Sequence, residues 1–487
     1  MADNALGAIA GKARETACRP GGSPKKAMAQ RFDAIIIGSG QAGPALAGRL
    51  TGAGMSVAFA EREHFGGTCV NDGCTPTKAL VASAQAAFVA RRHADFGVTV
   101  GGPVGIDMRA VKARKDAIVQ ASVDGVAKWV SNMRGLRVVW GHARFSAPHR
   151  VVVGGEDLEA ERIFINVGGR ALVPEWPGLD SAPFFTNTSM MGVDFLPEHL
   201  VVVGGSYVGL EFAQMYRRFG ARVTVIEQAP RLIAREDEDV SEALQDILAR
   251  EGIEFRLNAR CIGASPREGG IVVSADCAEG PPEIFGTHLL LAVGRRPNTE
   301  DLGLDAAGIE CDERGFIKVD DQLRTSVPGV WALGDVNGRG AFTHTSWNDY
   351  EIVAANLLDS DPRRVTDRIA AYALYTDPPL GRAGISEREA RASGGRPALI
   401  GKMPMTRVGR ARERGETLGF MKVIVDEQSK AILGAALLGV NGDEVVHSIL
   451  DVMYAKAPYT VISRGVHIHP TVTELIPTLL QSLTPLR

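Results

Sequence analysis

Short apolar runs that end at glycine recur along the chain, as in "AIIIGSG", "LVVVGG" and "HLLLAVGRR". Runs this short and this continuous, stopped by glycine, suit strands buried on both faces rather than half-exposed ones. None approaches the ~18 residues needed to span a bilayer. The first run opens "RFDAIIIGSGQAGPALAGRLTGAGMSVAFAER". The pattern predicts a strand over Ala34–Ile37, a glycine turn, a small-residue helix and a second strand ending at Glu61. The same order returns in "HLVVVGGSYVGLEFAQMYRRFGARVTVIEQ", ending at Glu227. From first glycine to acid is 23 residues in both copies.

That repeat has the form of a dinucleotide fingerprint. Gly38, Gly40 and Gly43 stand in the first copy, and Gly204, Ser206 and Gly209 in the second. The first glycine allows the tight strand-to-helix turn, the second a close approach of backbone to a pyrophosphate, and the third close helix–strand packing. The helix N-terminus offers free N–H groups to phosphate, and the acid ending the second strand accepts from a ribose. Ser206 stands where the second glycine is usual and narrows the space for pyrophosphate. A pair of glycine-rich turns in a ligand-free α/β sheet is the plainer alternative, and two copies in full context weigh against it. Two nucleotide sites imply two dinucleotides with electrons passing between them. Glu227 favours NADH by repelling the 2′-phosphate of NADPH. Arg222 and Arg231 nearby keep NADPH as the alternative.

Composition narrows the setting. The 487 residues give room for two to four domains. A hydrophobic fraction of 45% is that of an ordinary globular protein. A net charge of −3 leaves no basic footprint for nucleic acid. Residues 1–30 are poor in bulky apolar side chains and lack a secretory core, so they are expected to be a disordered tail. A cytoplasmic location follows by default, where structural disulfides are rare. Six cysteines are present, and two of them, Cys69 and Cys74, lie close together in "GGTCVNDGCTPTKAL". Residues five apart on a regular helix are separated by roughly 8–9 Å, whereas a disulfide needs Cα atoms within about 7 Å. The pair can bridge only where the helix start is distorted, which Gly73 and Pro76 permit. A helix N-terminus and Lys78 both favour a thiolate. The alternative, zinc, needs two further ligands; His64 is near, but no second Cys/His pair follows. Cys18, Cys261, Cys277 and Cys311 are isolated and are expected to be tail, core or surface thiols.

"GSGQAG" with Glu61, "GGTCVNDGCTPTK", "GGSYVGLE", "LAVGRRPN", "TSVPGVWALGDV" and "HIHPTVTE" together resemble the class I pyridine nucleotide–disulfide oxidoreductases, the family of lipoamide dehydrogenase, glutathione reductase and mercuric reductase. The motifs run from residue 33 to 474 in the family's order. The resemblance implies an α/β fold with two Rossmann-type dinucleotide-binding domains, for FAD and NAD, and a C-terminal α+β dimerisation domain. It places the FAD domain at 31–165 and 300–365, the NAD(P) domain at 166–299 and the interface domain at 366–487.

It also implies roles. Gly38, Gly40, Gly43 and Glu61 would bind the ADP half of FAD, and Asp335 the ribityl chain. Gly204, Gly209, Glu227 and, in "LAVGRRPN", Gly294 would serve the nicotinamide nucleotide, NADH with NADPH as the alternative. Tyr207 would cover the flavin face, and Lys78 and Glu211 would pair beside it. Cys74 would lie against the flavin and Cys69 would face substrate. His469, oriented by Glu474, would reach the cysteines of the other subunit, which makes a homodimer with a shared active site. His467, Trp331 and Trp347 are expected to be structural, and no metal site is expected. Electrons would pass from NADH through FAD to the disulfide, or in reverse from a dithiol substrate to NAD.

For the substrate, "GGTCVN" suggests mercuric reductase, but the C-terminus "LIPTLLQSLTPLR" carries no cysteine to receive Hg(II). Lipoamide dehydrogenase, as the subunit of a 2-oxoacid dehydrogenase complex, fits the His–Glu pair and Glu227. "CVNDGCTPTK" departs from that enzyme's "CLNVGCIPSK" through Asp72, whose charge should disfavour thiolate and repel anions. "AFTHTSWNDYEIVAANLL" resembles a mercuric-reductase-like subgroup that reduces small oxidants such as hypothiocyanous acid. The expectation is therefore an NADH-dependent reductase of a small-molecule disulfide or oxidised thiol-reactive species, with no nucleic acid or membrane partner.

Overall fold

The computed structural model describes residues 28–277, 280–392 and 397–486. The expected tail therefore lies outside the described residues except for its last three, of which Gln30 already begins a strand, and Cys18 lies outside as well. Strand β1 (Gln30–Ile37) is buried on both faces over Ala34–Ile37, the run that predicted it. It pairs in parallel with β2 (Val57–Glu61) in the register Ala34↔Val57 to Ile37↔Ala60. Helix α1 (Ala42–Gly52) joins them. Its small residues and the Pro44 of its first turn let it pack flat on the sheet. On the other side β1 pairs with Glu156–Ile165, which continues antiparallel into Arg150–Val153 and Ala143–Ala147. Leu136–Trp140 flanks β2, and Val330–Ala332 pairs in parallel with Ile163–Ile165, completing seven strands.

The helices that carry the cysteines follow β2: α2 (Gly67–Asn71) and α3 (Cys74–Arg91). After Ile165 the chain leaves this sheet. It builds a second parallel sheet from β3 (His199–Val203), β4 (Arg222–Ile226), Ile253–Arg256 and His288–Leu291. Helix α4 (Tyr207–Phe219) links β3 to β4 as α1 links β1 to β2. A two-stranded ribbon, Gly169–Ala171 against Arg295–Pro297, lies where the chain departs and returns. Helix α5 (Thr343–Ala354) follows the returning strand and packs on α1.

The C-terminal region is a six-stranded antiparallel sheet covered by the helix Gly442–Tyr454. Its strand Phe420–Asp426 is buried at every position, Lys422 included. The Lys422 ammonium is 2.8 Å from Asp237, 2.7 Å from Asp239 and 3.0 Å from Glu387. A cation buried to this depth is held by such paired carboxylates, and removing one side would leave uncompensated charge. The cluster fastens the C-terminal sheet to the second nucleotide-type unit, and with it the position of everything between them.

Candidate active site

The helix that would have kept the cysteines apart is broken between them. Helix α2 ends at Asn71, the chain turns at Asp72 and Gly73, and α3 begins at Cys74. A Cβ on Gly73 would lie 2.9 Å from the Thr68 carbonyl oxygen, so only glycine fits the turn. The distortion expected from spacing is therefore present. Both cysteines are free thiols, and each shifts the ionisation of the other. Thr343, the first residue of α5, reaches both: its Oγ1 is 2.9 Å from Cys69 Sγ and 3.2 Å from Cys74 Sγ.

The hydrogen bond from Cys69 brings the Cys74 thiol down to about 6, against burial, with Thr343 and Lys78 lowering it further and Glu211 opposing them. The same bond to Cys74, and then burial, push the Cys69 thiol well above the ordinary range. The pair thus carries one thiolate, and it rests on the sulfur at the N-terminus of α3, where a helix favours negative charge. Burial raises the Asp72 carboxyl, which weakens the charge expected between the cysteines.

Lys78 Nζ is 2.7 Å from Glu211 Oε2, and the buried Glu211 also accepts from the Tyr375 N–H at 3.0 Å. The Lys78 ammonium lies 4.5 Å from the Tyr375 ring centroid. Tyr207, the first residue of α4, stands edge-on to Phe342 at 6.2 Å and to Tyr372 at 5.4 Å. Tyr372 is fixed by a hydrogen bond to Glu236, itself 3.2 Å from Arg382. Burial pushes the Tyr207 phenol up, so its ring is neutral.

Cys69, Cys74, Lys78, Glu211, Tyr207 and Thr343 line one cavity of about 820 Å³ that runs to Gly38, Gly40, Glu61 and Asp335, a size typical of cofactor sites. At the glycine end, Glu61 accepts from the Ser39 N–H at 2.9 Å, the Ser39 hydroxyl at 2.6 Å, and the N–H groups of Arg62 and Glu63 at 2.8 Å. Asp335 has the Arg295 Nε at 3.6 Å, and burial raises its carboxyl. A cavity of this volume, with a glycine turn and Glu61 at one end and two thiols at the other, has room for a dinucleotide.

The second glycine turn repeats the first in its main contacts. Gly38 and Gly204 have φ of +99° and +117°. A Cβ on Gly43 would lie 2.5 Å from the Gly38 carbonyl oxygen, and one on Gly209 1.9 Å from that of Gly204. In each copy the residue after the first glycine donates its N–H to the acid: Ser39 to Glu61, and Gly205 to Glu227 at 2.6 Å. Glu227 also accepts from the Ala229 N–H at 2.7 Å. Ser206 is exposed with φ −111°, so its side chain meets neither strain nor crowding. The crowded position is Gly205, where a Cβ would lie 2.7 Å from Leu232.

Other expected residues lie apart from the cavity. Gly294 sits in the turn before Arg295, where its carbonyl accepts the Leu172 N–H at 2.9 Å. His469 Nδ1 is 2.9 Å from Glu474 Oε2, so the pair forms, but the imidazole is 79% exposed and does not line the cavity of its own chain. Trp331 packs on Phe164 as expected. Trp347 does not pack away: it is 39% exposed and faces the cavity, with its ring edge-on to Tyr350.

Sequence reasoning missed two groups. Thr343 reaches the sulfurs from 274 and 269 residues away; it lies in the stretch "AFTHTSWNDYEIVAANLL", but nothing there marks its hydroxyl as a partner of the cysteines. Asn166, at the end of the apolar run "IFIN", donates to the carbonyls of Gly38 and Gly40 at 3.0 and 3.1 Å and holds the first turn shut. Among the described residues no helix is long and apolar enough to cross a membrane. The acidic cluster Asp237, Asp239 and Glu387 is engaged by Lys422.

Residues 32–349 match the family model described as pyridine nucleotide-disulphide oxidoreductase, and residues 370–480 match that family's dimerisation domain. The chain is 36% identical over 452 residues to the probable pyridine nucleotide-disulfide oxidoreductase RclA of Escherichia coli, covering 91% of this chain and 97% of that one. It is 31% identical over 460 residues to the dihydrolipoyl dehydrogenase of Haloferax volcanii, covering 92% and 95%. Among solved structures it is similar to the HOCl-induced flavoprotein disulfide reductase RclA from Escherichia coli, with a TM-score of 0.84, 34% identity, and coverage of 92% and 99%. It is similar to the same extent, TM-score 0.84, to the Cu(II) complex of that reductase.

Proposed function

The chain belongs to the pyridine nucleotide–disulphide oxidoreductase family, as a flavoprotein enzyme that uses FAD and NAD(P)H, and from that premise we propose that it reduces a small disulfide or oxidised thiol-reactive species through Cys69 and Cys74. The observation that carries this is the placement of the free thiols, with Lys78, at one end of a cavity whose other end is the Glu61 glycine turn. Gly38, Gly40, Gly43, Glu61 and Asp335 would hold FAD, and Gly204, Gly209 and Glu227 would hold NADH in preference to NADPH. Gly294 would shape the return of the chain between them. Bound FAD supplies the hydride acceptance from NADH and the transfer of electrons to a disulfide.

The protein's own groups do the thiol chemistry. Cys69 Sγ gives up its proton as it attacks the electrophilic sulfur of the substrate, and the leaving group departs with that proton. The Cys74 thiolate then attacks Cys69 Sγ, expelling the reduced substrate and remaking the disulfide. Lys78 holds negative charge on Cys74, and Glu211 fixes Lys78. Tyr207, packed on Phe342 and Tyr372, closes this side of the cavity and would have to turn aside to admit a nicotinamide ring. His469 of the partner subunit, oriented by its Glu474, would move the protons. The dimerisation domain supports a homodimer for this shared site. We place the reaction in the cytoplasm, where NADH is available and thiols stay reduced.

The name of the RclA relative, an HOCl-induced disulfide reductase, supports the small-oxidant substrate. A second reading, dihydrolipoyl dehydrogenase, is favoured by the formed His469–Glu474 pair and by the likeness to those enzymes. The test is anaerobic NADH oxidation by the FAD-loaded enzyme against hypothiocyanous acid, lipoamide, an Hg(II)–thiol complex and Cu(II), with Cys69→Ser as control. Turnover of the inorganic oxidant that is lost in Cys69→Ser supports the proposal. Turnover of lipoamide alone replaces it with the second reading.

A further inference from the structure

Among the described residues, Thr343 supplies the only side-chain hydrogen bond to either sulfur from outside the cysteine pair. A hydroxyl has one proton to give, this one lies within reach of both sulfurs, and rotation about a single bond turns that proton from one to the other. A dithiol that holds one negative charge, and passes it between two sulfurs as a disulfide is opened and remade, calls for such a group.

The position of the hydroxyl is fixed by its surroundings. Thr343 begins α5, and the Thr345 hydroxyl closes that helix start by accepting from the Phe342 N–H at 3.1 Å and donating to the Phe342 carbonyl at 2.7 Å. The Phe342 ring stacks on His344 at 5.3 Å and on Tyr372 at 5.6 Å. The His344 ring nitrogen lies 2.7 Å from the Ala371 carbonyl oxygen. A β-branched residue at a held helix start has little freedom left at χ1.

The charged groups around the pair leave work for a neutral donor. Lys78, on the helix of Cys74, favours the thiolate, and Glu211 from α4 disfavours it. Asp72 lies in the break between the cysteines, with burial favouring its neutral form. Tyr375, just beyond the strand Ala371–Leu374, sets its ring 4.5 Å from the Lys78 ammonium, and burial raises its phenol. Lys78 and Glu211 are also paired to each other, so they act on the sulfurs in opposite directions.

We propose that Thr343 is a catalytic residue of the redox pair, its hydroxyl donating to whichever sulfur bears the negative charge. This rests on the reading of Cys69 and Cys74 as the pair that NADH reduces. Hydrogen bonds to charged groups are strong enough that losing this one should move the first ionisation of the pair upward by about one to two pH units.

The experiment reduces the FAD-loaded enzyme anaerobically with NADH and follows iodoacetamide uptake by the peptide spanning residues 66–80 as a function of pH, by mass spectrometry. Thr343→Val should shift the profile upward by that amount, and Thr343→Ser, which keeps the hydroxyl, should leave it near wild type. Thr343→Ala is read in the same way if the valine variant does not retain FAD. A wild-type profile in either hydroxyl-free variant overturns the proposal, as does a Thr343→Ser shift equal to that of Thr343→Val. If NADH exposes no new thiols in the wild-type enzyme, it is the redox-pair reading that fails.

Discussion

Lys78 Nζ stands 2.7 Å from Glu211 Oε2, and this pair ties the helix that begins at Cys74 to the helix that begins at Tyr207. The thiol end of the cavity and the second glycine turn are thereby held in one frame. Lys78→Met should have two separate effects. Loss of the cation removes a group that favours the Cys74 thiolate, and substrate turnover should fall roughly 10- to 100-fold, the equivalent of one to two pKa units. Glu211, buried and left without its partner, should cost about 1–3 kcal/mol of stability. Steady-state kinetics and urea unfolding of the same variant check the two effects independently.

The reduced enzyme should react as a monothiolate over the neutral range. The Cys74 thiol is brought down to about 6 by its bond from Cys69, while Cys69 is pushed up by the same bond. A lowered thiol ionises early, so the thiolate is present above about pH 6 and is lost as pH falls through that value. Because the two sulfurs titrate as a unit, the profile belongs to the pair. Iodoacetamide uptake after NADH reduction should be half-maximal near pH 6, with no second step below pH 9. A single step near 9 would mean that the two thiols ionise independently.

Local chemistry was legible in the sequence, and long-range convergence was not. The 23-residue interval from Gly38 to Glu61 and from Gly204 to Glu227 encodes strand, turn, helix and strand, and both turns form with matching contacts. The break between Cys69 and Cys74 followed from helix geometry and from Gly73. His469 and Glu474, five apart, were paired correctly. Thr343 was invisible because its contact with the sulfurs depends on how α5 docks after the chain returns from the second sheet. The glycine pattern singled out Ser206, whereas the packing of Leu232 on Gly205 is a tertiary fact that no spacing in the chain announces. Trp347 was expected to be packed, and the wall of the cavity leaves it partly open instead.

Nucleotide choice should rest on Glu227. Its carboxylate accepts from Gly205 and Ala229 at the end of β4, and in the proposed NADH reading its charge would repel a 2′-phosphate. The enzyme should therefore give a higher kcat/KM with NADH than with NADPH. Glu227→Ala should lower the NADH-to-NADPH ratio at least about tenfold, by losing the ribose acceptor and the repulsion together. Parallel kinetics with the two nucleotides check this. A ratio unchanged in the variant would shift the choice to Arg222 or Arg231.

The exposed His469 gives the most decisive prediction. Within one chain its imidazole is held by Glu474 and does not line the cavity of Cys69 and Cys74, and the exposed Val466 and Ile468 stand beside it. A second copy that covers these side chains would bring His469 of the partner subunit to the sulfurs. Cys69→Ser should abolish turnover, and His469→Ala should reduce it by about 10²- to 10⁴-fold, the usual worth of a general acid–base. Coexpression of the two variants yields heterodimers in which one site has lost both groups and the other has both. Such heterodimers, purified by two tags, should recover about half the wild-type activity, one intact site of two in a twofold dimer. Sites built from a single chain would give no recovery, because each site of the mixed dimer would then lack one of the two groups.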